Sequence, residues 1–184
     1  MAASYRPRKI TLRDGRVVTL RAIKPSDEAE ILQAFDRLSD DSRYSRFMAP
    51  MRELNPATLA SGLRPVPGQD FTFVATVPAD DGIDIVGGAR YLRLVPGDPR
   101  RCEFAITLAE DWRGNGLARA LMASLIRRAR HDGYAEMQGF VIAKNAPMLA
   151  LARRLGFRVE YDPDDTSTVR VVRALQAGRS QASA

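Results

Sequence analysis

Between residues 101 and 118 the chain reads RCEFAITLAEDWRGNGLA. An apolar run ends in a short acidic break, and the turn Arg113-Gly114-Asn115-Gly116-Leu117-Ala118 opens directly into an amphipathic stretch. Small residues at 114, 116 and 118 let a backbone approach a ligand closely and turn its N–H groups outward. The positive end of a helix dipole behind such a turn favours an anion, above all a phosphate. The turn therefore predicts a phosphate-bearing cofactor. Two other glycine loops fit poorly. A nucleoside-triphosphate loop needs Gly-Lys-Ser/Thr, where this chain has Gly116-Leu117-Ala118. A dinucleotide fingerprint needs a third small residue where Arg119 stands.

The elements that position this turn follow from periodicity. Ile10–Arg13 and Val17–Ile23 read as strands around the turn pair Asp14-Gly15. Pro25, Ser26 and Asp27 open a helix, with Asp27 and Glu30 spaced for a capping box and Ile31, Phe35 and Leu38 on one face. Residues 39–70 read as irregular, with a short helix after Pro56. Phe71–Val77, Ile83–Leu94 and Cys102–Leu108 read as strands. Apolar residues at 117, 118, 121, 122, 125, 126 and 129 predict a helix over Leu117–Asp132, stopped by Gly133. Glu136–Ile142 reads as a strand. Asn145 caps a second helix with Pro147 in its first turn, closed by Gly156. Phe157–Tyr161 and Thr166–Leu175 complete the pattern. It is an α+β (mixed α/β) layered domain: an antiparallel sheet carrying one strand–helix–strand–helix unit.

The 184 residues suit one domain over residues 9–175, with residues 1–8 and 176–184 as flexible tails. No apolar run approaches the ~20 residues of a membrane span, and the N-terminus lacks an apolar signal core. A lone Cys102 permits no internal disulfide and fits a reducing, cytoplasmic setting. One His and one Cys make a nitrogen- or sulfur-ligated metal site improbable, and none is expected. The net charge of +6 is carried almost wholly by scattered arginines, without aromatic interleaving. A polyanionic cofactor suits it better than nucleic acid does.

The order of elements, with DWRGNGLARALM followed by NAPMLALARRLGF, resembles the GNAT superfamily of acyl-CoA-dependent N-acetyltransferases. The family's Gln/Arg-x-x-Gly-x-Gly/Ala pattern falls on Arg113, Gly116 and Ala118. Its later Asn…Gly-Phe helix falls on Asn145 through Phe157. The opening LRDGRVVTLRAIKPSDE, the SRYSRFMAP segment and the CEFA strand look closer still to one branch, the acetyltransferase domain of bacterial protein-lysine acetyltransferases that modify acyl-CoA synthetases. Those enzymes often carry a large extra domain. The resemblance implies a twisted, mostly antiparallel sheet with a splayed parallel pair, Cys102–Leu108 beside Glu136–Ile142. It implies acetyl-CoA in the gap: pantetheine paired with backbone near Ile106 and Leu108 and reached by Asn145, and pyrophosphate on the N–H groups of residues 113–118, with Arg119 helping.

Acyl transfer to a lysine amine requires deprotonation. Its pKa of ~10.4 costs about 4.6 kcal/mol at pH 7, so a base in the cleft matters. Glu103 shares a strand face with Ala105 and Thr107. Taken alone it reads as a solvated outer residue; by the resemblance it is the base, acting through water. The backbone N–H near Leu108 would receive the thioester oxygen. The family's tyrosine acid is absent, because Ala152 stands there, and Tyr134 and Tyr161 read as packing. Cys102 reads as core, His131 as a solvated helix end, and Trp112 as a loop anchor. Tyr44, Phe47, Met48 and Met51 are candidates for an acceptor wall. The expected enzyme acetylates a primary amine, with a protein lysine ahead of a small-molecule amine or amino acid. A non-catalytic acetyl-CoA-binding module is the alternative from another class.

Overall fold

The computed structural model describes residues 5–48, 52–94, 98 and 100–175. They form strands β1 (Arg8–Thr11), β2 (Val17–Ala22), β3 (Asp70–Ala79), β4 (Gly82–Arg93), β5 (Arg101–Leu108), β6 (Glu136–Ile142), β7 (Arg158–Tyr161) and β8 (Thr168–Ala174). The helices are α1 (Glu28–Asp36), α2 (Asp40–Phe47), α3 (Pro56–Leu63), α4 (Leu117–His131) and α5 (Ala146–Arg154). The strands hydrogen-bond in the order β1-β2-β3-β4-β5-β6-β8-β7. The pair β5–β6 is parallel. No helix among the described residues is long and apolar enough to cross a membrane.

Two compact units divide the chain, Met1–Leu92 with Phe104–Leu125, and Arg93–Glu103 with Ile126–Ala184. In the first, β1, β2, β3 and β4 pair antiparallel in sequence order. The β3–β4 register steps at Ala75/Thr76: Ala75 faces Gly87 and Thr76 faces Ile85. Val86 is thus an extra residue, a bulge that frees its carbonyl from the ladder. That carbonyl accepts from the Ala109 N–H at 3.0 Å, just past the end of β5. Leu117, Leu121, Met122 and Leu125 of α4 are fully buried. A Cβ on Gly87 would lie 3.3 Å from Leu117 and 3.3 Å from Leu121, so the helix seats against β4 where a side chain is missing.

The second unit holds the start of β5, the end of α4, and β6, β7, β8 and α5. Parallel pairing joins Arg101, Cys102 and Glu103 to Glu136, Met137 and Gln138. β8 lies between β6 and β7, antiparallel to both. Cys102, Ala129, Met137, Ala152 and Val171 form its core.

Three expectations need correction. The segment taken as irregular contains α2 as well as α3. Its sequence DDSRYSRF has no apolar stripe, so periodicity could not reveal it. The helix is set by its ends, a Ser39 cap and a left-handed Met48 at φ 54°. The Asp27/Glu30 box does not form; Asp27 is 3% exposed and accepts from the Lys24 N–H at 2.8 Å and from both terminal nitrogens of Arg21 at 2.7 Å. It closes the short 3-10 turn Pro25–Asp27 ahead of α1. Tyr161 is 71% exposed and packs nothing, whereas Tyr134 is buried.

Candidate active site

The glycine turn lies wholly in the first unit. Gly114 and Gly116 take φ of 76° and 97°, a region costly for residues with a Cβ. Asn115 is buried at 5% exposure, its Oδ1 accepting from the Leu117 N–H at 3.1 Å and its Nδ2 donating to Asp14 at 3.2 Å. Asn115 therefore builds the turn from within, and Leu117 spends its side chain in the core. Among the described residues, the N–H groups of Gly114, Asn115, Gly116, Ala118 and Arg119 have no hydrogen-bond partner. These donors, at the start of a 15-residue helix, suit a diphosphate.

The β1–β2 hairpin braces this turn. The Arg13 N–H donates to the Asn115 carbonyl at 3.0 Å, and the Arg13 side chain runs alongside Gly116. Arg16 donates to the Asp111 carbonyl at 2.9 Å and stacks over Trp112 at 3.9 Å, which makes Trp112 an anchor as expected. Arg13 lies beside Gly116, and Arg113 and Arg119, both exposed, belong to the turn and the first residues of α4. Arg13 escaped the sequence reading because it lies a hundred residues away, in the hairpin.

A second connection was also illegible. One Glu110 oxygen accepts from the Ser39 N–H (3.1 Å), the Ser39 hydroxyl (2.9 Å) and the Ser42 hydroxyl (2.5 Å), capping α2 from outside. Arg113 donates to Ser42 at 2.7 Å, so the turn and α2 share one network. Burial pushes the Glu110 carboxyl up, but the hydroxyl and amide donors of Ser42 and Ser39 outweigh it and hold it at about 2. A depressed folded value means that its stabilisation is present at neutral pH and is lost as pH falls from the ordinary glutamate range through about 2. Glu110→Gln is expected to cost about 0.5–2 kcal/mol, the scale of a lost helix cap. Amide exchange confined to α2 should quicken first; unchanged exchange there would refute the capping role.

A pocket of about 940 Å³, counting its open mouth, lies in the same unit. Ile31 and Phe35 of α1 line it with Leu38 just past the helix end, together with Phe47 of α2, Leu59 of α3, and Ala105 and Thr107 of β5. The predicted apolar face of α1 thus becomes a pocket wall. Of the four residues named for an acceptor wall, Phe47 lines the pocket, Tyr44 is 46% exposed, Met48 ends α2, and Met51 lies outside the described residues.

Glu103 stands in the second unit, on the face of β5 that carries Ala105 and Thr107. Among the described residues no hydrogen bond or ion pair holds its carboxylate. Its neighbour Cys102 is fully buried, and burial pushes the thiol up to about 12. Almost no thiolate exists at neutral pH, so a cysteinyl acyl intermediate is disfavoured. Native protein is expected to resist maleimide until unfolded; rapid labelling of the folded chain would contradict this burial. Asn145 caps α5, accepting from the Met148 N–H at 3.2 Å. Ile106 and Leu108, the expected pantetheine partners, are half-buried in β5, and His131 is solvated at the end of α4.

Residues 18–158 match the acetyltransferase (GNAT) domain family. The chain belongs to the GNAT acetyltransferases. An acetyltransferase of Pseudomonas aeruginosa is 36% identical over 159 residues, which is 86% of this chain and 84% of that protein. The GNAT domain of PAT from S. lividans superposes with a TM-score of 0.81 at 22% identity, covering 91% of this chain and 96% of that one. A Salmonella typhimurium acetyltransferase structure, solved with its cofactor acetyl-CoA, superposes at 0.67 with 19% identity, covering 88% and 95%.

Proposed function

We propose that this GNAT acetyltransferase moves an acetyl group from acetyl-CoA to a primary amine by direct attack, with Glu103 as general base. The observation that carries the reading is the row of unpartnered N–H groups at the start of α4, with Arg13 alongside Gly116. The diphosphate binds there, and the pantetheine runs along β5 beside Ile106 and Leu108. The amine nitrogen attacks the thioester carbonyl carbon as its proton passes through water to Glu103. The carbon–sulfur bond then breaks, and the departing thiolate takes a proton from solvent. The Leu108 N–H serves the developing oxyanion.

For the acceptor, the resemblance to lysine-modifying enzymes supports a protein lysine, with an acyl-CoA synthetase as the class of target. The pocket's buried, unpartnered polar groups favour a small amine instead. Calorimetric titration with acetyl-CoA tests the donor site: saturable binding is expected, weakened at least tenfold by Gly116→Val, and no binding to folded protein would defeat the reading. Mass spectrometry after incubation with acetyl-CoA and cell extract then tells acetylated proteins from acetylated metabolites.

A further inference from the structure

The pocket of the first unit carries more polar chemistry than an aliphatic amine chain needs. Thr72 and Arg90 are direct partners across β3 and β4, and both line it. Thr72 is 9% exposed and the Arg90 side chain 12%. Thr72 Oγ1 and Arg90 Nε are buried, and neither has a hydrogen-bond partner. The guanidinium is nevertheless locked. One terminal nitrogen donates to Asp70 at 2.6 Å and to Ser61 at 3.3 Å. The other lies 3.7 Å from where a Cβ of Gly62 would be, in space that α3 leaves by having no side chain there.

Buried donors without partners are costly and rare, and two side by side in one cavity make a place for a ligand's oxygen. The charge of that oxygen follows from the lining. Among the described residues its ionisable members are Arg46 and Arg90, with no carboxylate. The remaining lining is mostly aliphatic and aromatic, from Ile23, Ile31, Phe35 and Leu59.

Building on the acetyl-transfer reading, we infer that Thr72 and Arg90 form a carboxylate-binding subsite and that the acceptor is a small amino acid with an apolar side chain. The Nε–H and the hydroxyl donate to the acceptor's carboxylate, the apolar walls take its side chain, and its amine is the group acetylated. A lysine within a protein offers no carboxylate of this kind, because its own is spent in a peptide bond.

Two conservative variants test the pair. Thr72→Val keeps the shape and removes the hydroxyl; Arg90→Lys keeps a cation for Asp70 and removes the Nε–H. Initial rates with acetyl-CoA are measured on the L-amino acids and on the matching amines that lack the carboxylate. At least one apolar amino acid is expected to exceed its decarboxylated amine in kcat/KM by about tenfold or more. Each variant should shrink that ratio by about tenfold, with KM for acetyl-CoA unchanged. Equal rates on amino acid and amine, a ratio indifferent to both variants, or acetylation of lysine peptides alone would overturn the subsite. Loss of all turnover with acetyl-CoA still bound would instead overturn the proposed reaction. Calorimetric titration of the amino acids then decides the subsite: binding weakened tenfold by Thr72→Val supports it, and no binding refutes it.

Discussion

Glu103→Gln is expected to lower kcat by about 10²- to 10⁴-fold at pH 7, the usual contribution of a positioned general base. The glutamine is nearly isosteric, and no hydrogen bond or ion pair among the described residues depends on the carboxylate, so the fold should survive. Acetyl-CoA affinity by calorimetry should change little, because the diphosphate seat belongs to a different stretch of chain. The defect should also shrink as pH approaches the acceptor amine's own pKa, ~10.4 if the acceptor is a lysine side chain, where solvent has already removed the proton. A loss below about tenfold, or one that persists undiminished at high pH, removes Glu103 from the base role. A wild-type protein that binds acetyl-CoA but acetylates no amine at all would instead fit a non-catalytic acetyl-CoA-binding module.

The largest effect on stability is expected from Arg21→Met. Arg21 and Asp27 form a two-pronged ion pair with side chains 11% and 5% exposed, pinning the entry of α1 to β2. Burial pushes the Asp27 carboxyl up, but the Arg21 and Lys24 donors prevail and leave it below its ordinary range. Removing the guanidinium leaves a buried carboxylate with only the Lys24 N–H, at a cost of about 3–5 kcal/mol. The sign with pH follows. In the native protein Asp27 contributes stability at neutral pH that is lost as pH falls through its lowered value. In the variant, burial without the arginine raises that value, so acidification neutralises the stranded charge and narrows the gap to wild type. Urea titrations at pH 7 and near pH 4.5 should show the larger deficit at pH 7. A deficit below about 1 kcal/mol, or one that grows on acidification, contradicts this reading of the pair. Because Ile31 and Phe35 line the pocket from α1, acceptor KM should rise with the loss of order.

Much of the fold was legible because its signals are local. The apolar stripe of α4 appears in the structure as buried Leu117, Leu121, Met122, Leu125, Ile126 and Ala129. Glu136–Ile142 was bounded by its own pattern, and Asn145 caps α5 through its own side chain. Such signals lie within a few residues of one another, where propensity and capping act. The glycine turn before α4 was legible as a turn for the same reason. Its internal use of Asn115 was not, since that depends on Asp14 across the hairpin.

Where polar partners are distant in sequence, reading the chain failed. The helix α2 has a polar surface and a cap completed by Glu110, 68 to 71 residues away, so no window of sequence could reveal it. The Asp27/Glu30 box failed for a different reason: Arg21, only six residues from Asp27, takes both carboxylate oxygens once β2 has turned towards the helix.

The order of amino acids alone determined the helices with apolar stripes and the glycine turn that opens α4, because each follows from short-range periodicity or a local motif, whereas Glu103 was named as candidate base through the family resemblance. Only the tertiary structure decided that Thr72 faces Arg90 and that Glu110 holds Ser42. Those pairings depend on strand register and long-range packing, whose energies are shared over the whole unit and leave no trace in any short segment.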